Sequence, residues 1–301
     1  MKIDLNRIRE FGNLEFLARQ MVEGFITGLH KSPYHGFSVE FAEHRLYNTG
    51  ESARHIDWKV YAKTDKLFTK RYEEETNLRC QLVIDNSSSM YFPQENLGKI
   101  TFSIMASAAL AYLLHRQRDA VGLTTFSDRI EMQTPVKSTG SHLHKLFIEL
   151  EKMLKEKRKA KKTAVAETLD LIAEKIHKRS LVIIFSDMFD QADDLGSLFA
   201  ALQHLKYNQH EALVFHVSDR QKEFNFNFEE RPYEFIDLET YEKVKLNPSQ
   251  IRSSYQDYMQ RYYHNLKIKC GHYKIDFVEA DINEDFNKIL SSYLIKRAKM
   301  R

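Results

Sequence analysis

Residues 82–91 read LVIDNSSSMY: a short apolar run, an aspartate, and then three serines in a row. Val83 and Ile84 are β-branched, and an uninterrupted apolar run of this length is what a parallel strand buried on both faces requires. Asp85 ends the run, and Ser87, Ser88 and Ser89 follow almost at once. Small oxygen donors therefore collect at the carboxyl end of a buried strand, the edge at which open α/β sheets bind their ligands. Taken alone, such a cluster also suits a turn that caps the next helix, since serine is a preferred N-cap residue.

Outward from this strand, apolar runs of strand length alternate with helical patterns, the signature of a parallel α/β sheet. KITFSIMASAALAYLLHRQRD (99–119) is apolar almost all round, as a helix packed hard on a sheet should be, and AVGLTTFS (120–127) is a second strand. SHLHKLFIELEKMLKE (141–156) and AVAETLDLIAEKIHK (164–178) space their apolar residues as helices do, and RSLVIIFSD (179–187) is the most strongly apolar strand of the chain. The alternation continues through a helix at 193–208, a strand at 210–219, a helix at 247–269 with Pro248 in its first turn, a strand at 273–280 and a helix at 283–300. Between 222 and 241 the apolar residues fall at every second position with a turn at Arg231 and Pro232, which predicts a hairpin or an edge insertion. The expected fold is a doubly wound, mostly parallel sheet with helices on both faces, over residues 79–301.

Residues 1–78 differ. One helical pattern covers 5–27, and strand-like alternation recurs in FSVEFAEHRLY (37–47) and KLFTKRYEEE (66–75), which predicts a small α+β extension with a two-strand layer. At 301 residues, 43% hydrophobic and 29% charged, the whole chain has the composition of an ordinary globular protein. Its net charge of +3 is too small to argue for nucleic acid or an anionic membrane surface. No segment approaches the roughly 18 apolar residues of a membrane span, and the charged start lacks a signal-peptide core, so the expected location is the cytoplasm. Cys80 and Cys270 stand far apart without metal or disulfide spacing and read as small buried apolar residues.

Asp85, Ser87 and Ser89 form D-x-S-x-S, which resembles the first loop of the metal-ion-dependent adhesion site of von Willebrand factor A domains. Such a site draws on two further loops, one supplying a threonine ahead of a helix and one an aspartate closing the next apolar strand. Thr163 and Asp187 stand in those places. The resemblance implies a von Willebrand A-like fold and a bound Mg²⁺, with Mn²⁺ as a substitute, that Ser87, Ser89 and Thr163 reach directly and Asp85 and Asp187 through water. A hard cation with few directly bound carboxylates seeks an acidic oxygen from outside, so the implied ligand is an exposed Asp or Glu of a protein partner. The threonine loop departs from the usual pattern, carrying Lys159, Ala160, Lys161 and Lys162 where glycines are common.

The amino-terminal region resembles the domain of unknown function 58 family through Arg45, Tyr47, Gly50, Glu51, Arg54, Ile56, Asp57 and Trp58, with Glu51 where aspartate is more usual. Read from the residues, Arg45, Arg54 and Asp57 around the single tryptophan form a structural polar network or a partner-binding surface, with Trp58 as the packing anchor. The family resemblance implies a bacterial, non-enzymatic adaptor or co-chaperone working with a MoxR-type AAA+ ATPase. Two alternatives stand beside it, a Mg²⁺-dependent phosphohydrolase with Asp85 as nucleophile and a scaffold that binds no metal. The first lacks the second carboxylate two positions on, where Ser87 stands; neither a nucleophile elbow nor a Walker A motif occurs.

Overall fold

The computed structural model describes residues 14–30, 44–46, 58–70, 78–93, 98–155, 164–189, 195–285 and 288–289. The chain divides into two compact units, Met1–Ile26 with Leu78–Arg301, and Thr27–Asn77.

The larger unit is built on a six-stranded sheet. Its strands are β3 (Arg79–Asp85), β4 (Ala120–Phe126), β5 (Ile130–Gln133), β6 (Leu181–Ser186), β7 (Glu211–Ser218) and β10 (Asp276–Asp281), in the spatial order β10-β7-β6-β3-β4-β5. All neighbours run parallel except β5, which pairs antiparallel with β4 at one edge. This edge strand went unread in the sequence, because four residues with alternating exposure carry little apolar signal. The α/β architecture otherwise agrees with the sequence reading.

Two apolar cores flank the sheet. Leu82 and Ile84 of β3 face one core with α3 (Gly98–Arg116) and α4 (Gly140–Lys155), while Val83 faces the other with α5 (Val165–Lys175), α6 (Leu195–Tyr207) and α7 (Pro248–His272). That alternation is the period-two geometry of a strand, and it explains why Leu82, Val83 and Ile84 are all apolar. Cys80 and Cys270 are buried free thiols in these two cores, as expected.

The helix α1 (Leu14–His30) corrects the expected boundary at 78/79. Leu14, Leu17, Ala18 and Val22 are buried in the first core, and the Leu14 backbone N–H donates to Glu151 Oε1 of α4 at 2.8 Å. An apolar stripe at this spacing has to be covered, so residues through Ile26 belong with the sheet. In the smaller unit, β1 (His44–Leu46) pairs antiparallel with β2 (Phe68–Lys70), which is the small sheet expected there, and α2 (Trp58–Thr64) lies between them in sequence.

The inserted hairpin is present but displaced. Residues 220–224 form a π-helical turn, and the hairpin consists of β8 (Tyr233–Ile236) and β9 (Lys243–Leu246), turning at 237–242 and not at Arg231-Pro232. The alternating phenylalanines ahead of it do not pair as a strand. Phe226 and Phe228 instead meet Phe235, and Phe226 also packs on Tyr255 of α7. The helix expected at 283–300 falls almost wholly outside the described residues. Among the described residues, no helix is long and apolar enough to cross a membrane.

Candidate functional site

Counted along the sheet, chain order reverses between β3 and β6, because β4 and β5 lie on one side of β3 and the later strands on the other. A crevice opens at such a switch point, outside the carboxyl ends of the strands. Asp85 is the last residue of β3, and Asp187 directly follows β6. Parallel register brings the two ends side by side, with Ile84 opposite Phe185.

The loop after β3 is held from several directions. The Asn86 backbone N–H donates to Phe126 O of β4 at 2.6 Å, its side-chain amide donates to Glu131 Oε2 at 2.7 Å, and the Tyr91 hydroxyl donates to Asn86 Oδ1 at 2.7 Å. Ser87 stands at the N-cap of a short 3₁₀ turn over Ser88–Tyr91, yet its side chain makes no capping bond. Its hydroxyl lies 3.1 Å from that of Ser89. Capping, the ordinary use of serine here, is therefore not what the Ser87 hydroxyl does.

Both oxygens of the fully buried Asp85 are engaged. Oδ1 accepts from the Ser87 N–H at 2.9 Å and Oδ2 from the Ser186 hydroxyl at 2.7 Å, while Ser186 Oγ in turn accepts from the Met188 N–H at 2.8 Å. Burial, and after it the charge of Asp187, push the Asp85 carboxyl up from 3.8 to about 7. A carboxyl raised on folding keeps its proton in the folded state over pH values at which the unfolded chain has lost it. Without divalent ions, the contribution of Asp85 to folding stability therefore falls as the pH rises from about 4 to about 7. Asp85→Asn lacks this term. Urea unfolding from about pH 5 to about pH 7.5 is expected to show the wild-type midpoint falling relative to the variant, and parallel midpoints would mean that Asp85 is already ionised when buried.

Sequence reasoning missed the principal cation of this site. The Lys99 ammonium, fully buried at the start of α3, donates to Asp187 Oδ2 at 2.7 Å and also to Glu223 Oε1. Burial alone pulls the ammonium down, but Asp187 and Glu223 more than offset it and the net shift is upward. Gly98 sets Lys99 in place. It has φ +54°, and a Cβ there would stand 2.2 Å from the Phe92 carbonyl oxygen, to which the Lys99 N–H donates at 3.2 Å. Glu223 belongs to the π-helical turn after β7, and its other oxygen accepts from the Asp219 N–H at 2.8 Å. His216, opposite Ser186 on β7, is pulled down to about 4 by burial and adds no charge near neutrality. One sequence signal for Lys99 existed: a lone lysine at the head of a helix apolar on all sides must find a buried acid.

The remaining expected residues separate into groups. Asp85, Ser87, Ser89 and Asp187 gather at one edge. Thr163 lies outside the described residues, although the next residue, Ala164, donates its N–H to Ser127 O beyond β4 at 3.3 Å. Arg45 stands on β1, and Tyr47, Glu51, Arg54 and Asp57 lie outside the described residues. Trp58 is corrected: it is 61% exposed and meets Tyr61 edge-to-face at 6.1 Å, so it does not anchor a core. Above Ser89, Phe92, Phe189, Glu223 and the hairpin residues Asp237, Leu238 and Glu239 line a cavity of about 310 Å³. The oxygens suited to a hard cation are the two hydroxyls, with the carboxylates of Asp85 and Asp187 behind them. Among the described residues no three His, Cys, Asp or Glu side chains form a metal cluster.

The chain is similar to the uncharacterized protein Rv1480 of Mycobacterium tuberculosis and the uncharacterized protein Mb1516 of Mycobacterium bovis, each 24% identical over 206 residues, or 68% of this chain. It spans 63% of the length of these relatives. Among solved structures it is similar to the conserved hypothetical protein BatB from Bacteroides thetaiotaomicron, at 15% identity and a TM-score of 0.44 over 74% of this chain and 99% of that one. An aerotolerance-related membrane protein from Bacteroides fragilis matches at 12% identity and 0.45, over 71% and 97%. The family model described as "Protein of unknown function DUF58" matches residues 43–265, from the start of the small sheet into α7, and the chain belongs to that family.

Proposed function

We propose that the protein is a non-enzymatic binding module that takes up Mg²⁺, or Mn²⁺ in its place, at the switch point and docks an Asp or Glu of a protein partner there. The observation that carries this reading is the pair of hydroxyls of Ser87 and Ser89, 3.1 Å apart. Neighbouring oxygens of an octahedral shell with bonds of about 2.1 Å lie about 3 Å apart, so the pair already has the spacing of two adjacent ligands. With Thr163 as a third hydroxyl, Asp85 and Asp187 would stand behind them and hold bound water. The ion supplies a hard, partly neutralised charge that an oxygen from outside completes.

Two features of Asp85 weigh against catalysis. It has no exposed surface, and both of its oxygens accept hydrogen bonds, which is poor preparation for a nucleophile. By family resemblance the partner is a MoxR-type AAA+ ATPase and the setting the cytoplasm, with this chain as adaptor or co-chaperone. One observation favours a second reading, that of a scaffold without metal: Asp187 already has a cation in Lys99.

Calorimetric titration with Mg²⁺ and Mn²⁺, in acetate-containing buffer, separates the two. Saturable binding is expected in the wild type, and its loss in an Asp85→Ala variant that keeps its circular dichroism spectrum. Folded wild type that takes up neither ion overturns the proposal and leaves the scaffold.

A further inference from the structure

Lys99 is out of place in a site built for a cation. Its ammonium is fully buried and is committed to Asp187 Oδ2 at 2.7 Å and to Glu223. The other oxygen of Asp187 accepts from the Phe189 N–H at 3.2 Å, so neither oxygen of this carboxylate is left without a donor. Asp85 likewise has a donor on each oxygen, from Ser87 and Ser186. Both carboxylates behind the hydroxyl pair are thus tied to the protein, and one of them is neutralised by it.

Resting on the metal-binding reading proposed above, we infer that Lys99 is a built-in counter-cation that holds Asp187 out of the ion's direct shell and leaves the site short of negative charge. The ion is then held tightly only together with a carboxylate from a partner, and binding of the two is cooperative. The physical basis is Coulombic. A positive charge fixed within the same buried cluster opposes a divalent ion in a medium where such effects are several times stronger than in water. Glu223 acts in the opposite sense, since it draws the ammonium toward the π-helical turn and shares its charge. Glu223 also lines the cavity beside Ser89, which places the acid partner of the buried Lys99 next to the path an acidic side chain would take. Lys99 is a positioning residue on this reading, not a ligand.

The test is a Mn²⁺ titration of the full chain, in chloride and in acetate of equal ionic strength, for wild type, Lys99→Met and Glu223→Gln, with folding of each checked by circular dichroism. Acetate is expected to tighten Mn²⁺ binding by the wild type. Lys99→Met should bind Mn²⁺ at least about tenfold more tightly in chloride, equivalent to about 1.4 kcal/mol, with a smaller gain from acetate. Glu223→Gln should bind it several-fold more weakly. A merely structural lysine would give weaker or unchanged binding when removed, and that result in a folded Lys99→Met overturns the inference. Should Lys99→Met not fold, wild-type binding indifferent to acetate together with an unaffected Glu223→Gln overturns it as well. Wild-type binding that is tight in chloride and unmoved by acetate defeats this inference while the metal site stands. No Mn²⁺ uptake by any form in either buffer defeats the metal reading itself, and this inference with it.

Discussion

Thermal unfolding of Asp187→Ala, followed by circular dichroism, is expected about 10 °C below that of the wild type. The substitution removes little apolar packing, but it strands the Lys99 ammonium at zero exposure with Glu223 as its remaining acid partner. Breaking a buried pair by removing one member costs up to about 3–5 kcal/mol, and here the ammonium stays out of water with Glu223 as its single remaining carboxylate, so the expected loss lies at the lower end of that range. In a chain of this size each kcal/mol moves the midpoint by roughly 2–4 °C. The cause is separable from the loss of side-chain volume. Removing all three charges, as Lys99→Met with Asp187→Ala and Glu223→Gln, should recover at least about half of the loss, since no unpaired charge is then left buried. If the triple variant is no more stable than Asp187→Ala, the stranded ammonium is not what destabilises the single variant.

A loss of similar size is expected from Phe185→Ala, at the centre of the sheet. Phe185 on β6 and Phe215 on β7 are paired in register, fully buried, and stacked with ring centroids 4.9 Å apart and planes 6° from parallel. Truncating a buried phenylalanine costs about 3–5 kcal/mol through lost transfer energy and the cavity left behind. The ring pair contributes about 0.5–1.5 kcal/mol of that. Urea unfolding should therefore show a much lower midpoint at unchanged slope. Phe215→Ala should behave alike, and the double variant should cost less than the two singles together, because the first truncation already abolishes the stacking. Full additivity would mean that the rings do not act as a pair.

The strands β3, β6 and β7 were legible because burial on both faces, or nearly so, leaves apolar runs that no loop or surface helix imitates. Asp85 and Asp187 were legible for the same reason, each being the first acid after such a run. What escaped lay where local pattern and tertiary role part. Strand β5 is four residues long and half exposed. The phenylalanines at 224, 226 and 228 alternate as a strand does, but aromatic packing on one another and on α7 satisfies them without a ladder partner, and the hairpin forms further on. The partners of Lys99 come from positions 88 and 124 residues away in the chain, a separation at which no spacing rule operates. Trp58 was misjudged because tryptophan is so often buried, whereas here it heads a short helix with its ring in solvent.

That exposed ring has a practical consequence for the measurements described above. Trp58 is the single tryptophan of the chain, and it belongs to the unit Thr27–Asn77. Intrinsic indole fluorescence is therefore a local reporter of that unit. A side chain already in water has little further to shift in colour on unfolding, and its emission would pass over the melting of the sheet almost unchanged. A tryptophan introduced for Phe92 or Phe189, both of which line the cavity above Ser89, would instead put the optical signal where an ion and an acidic side chain are expected to arrive.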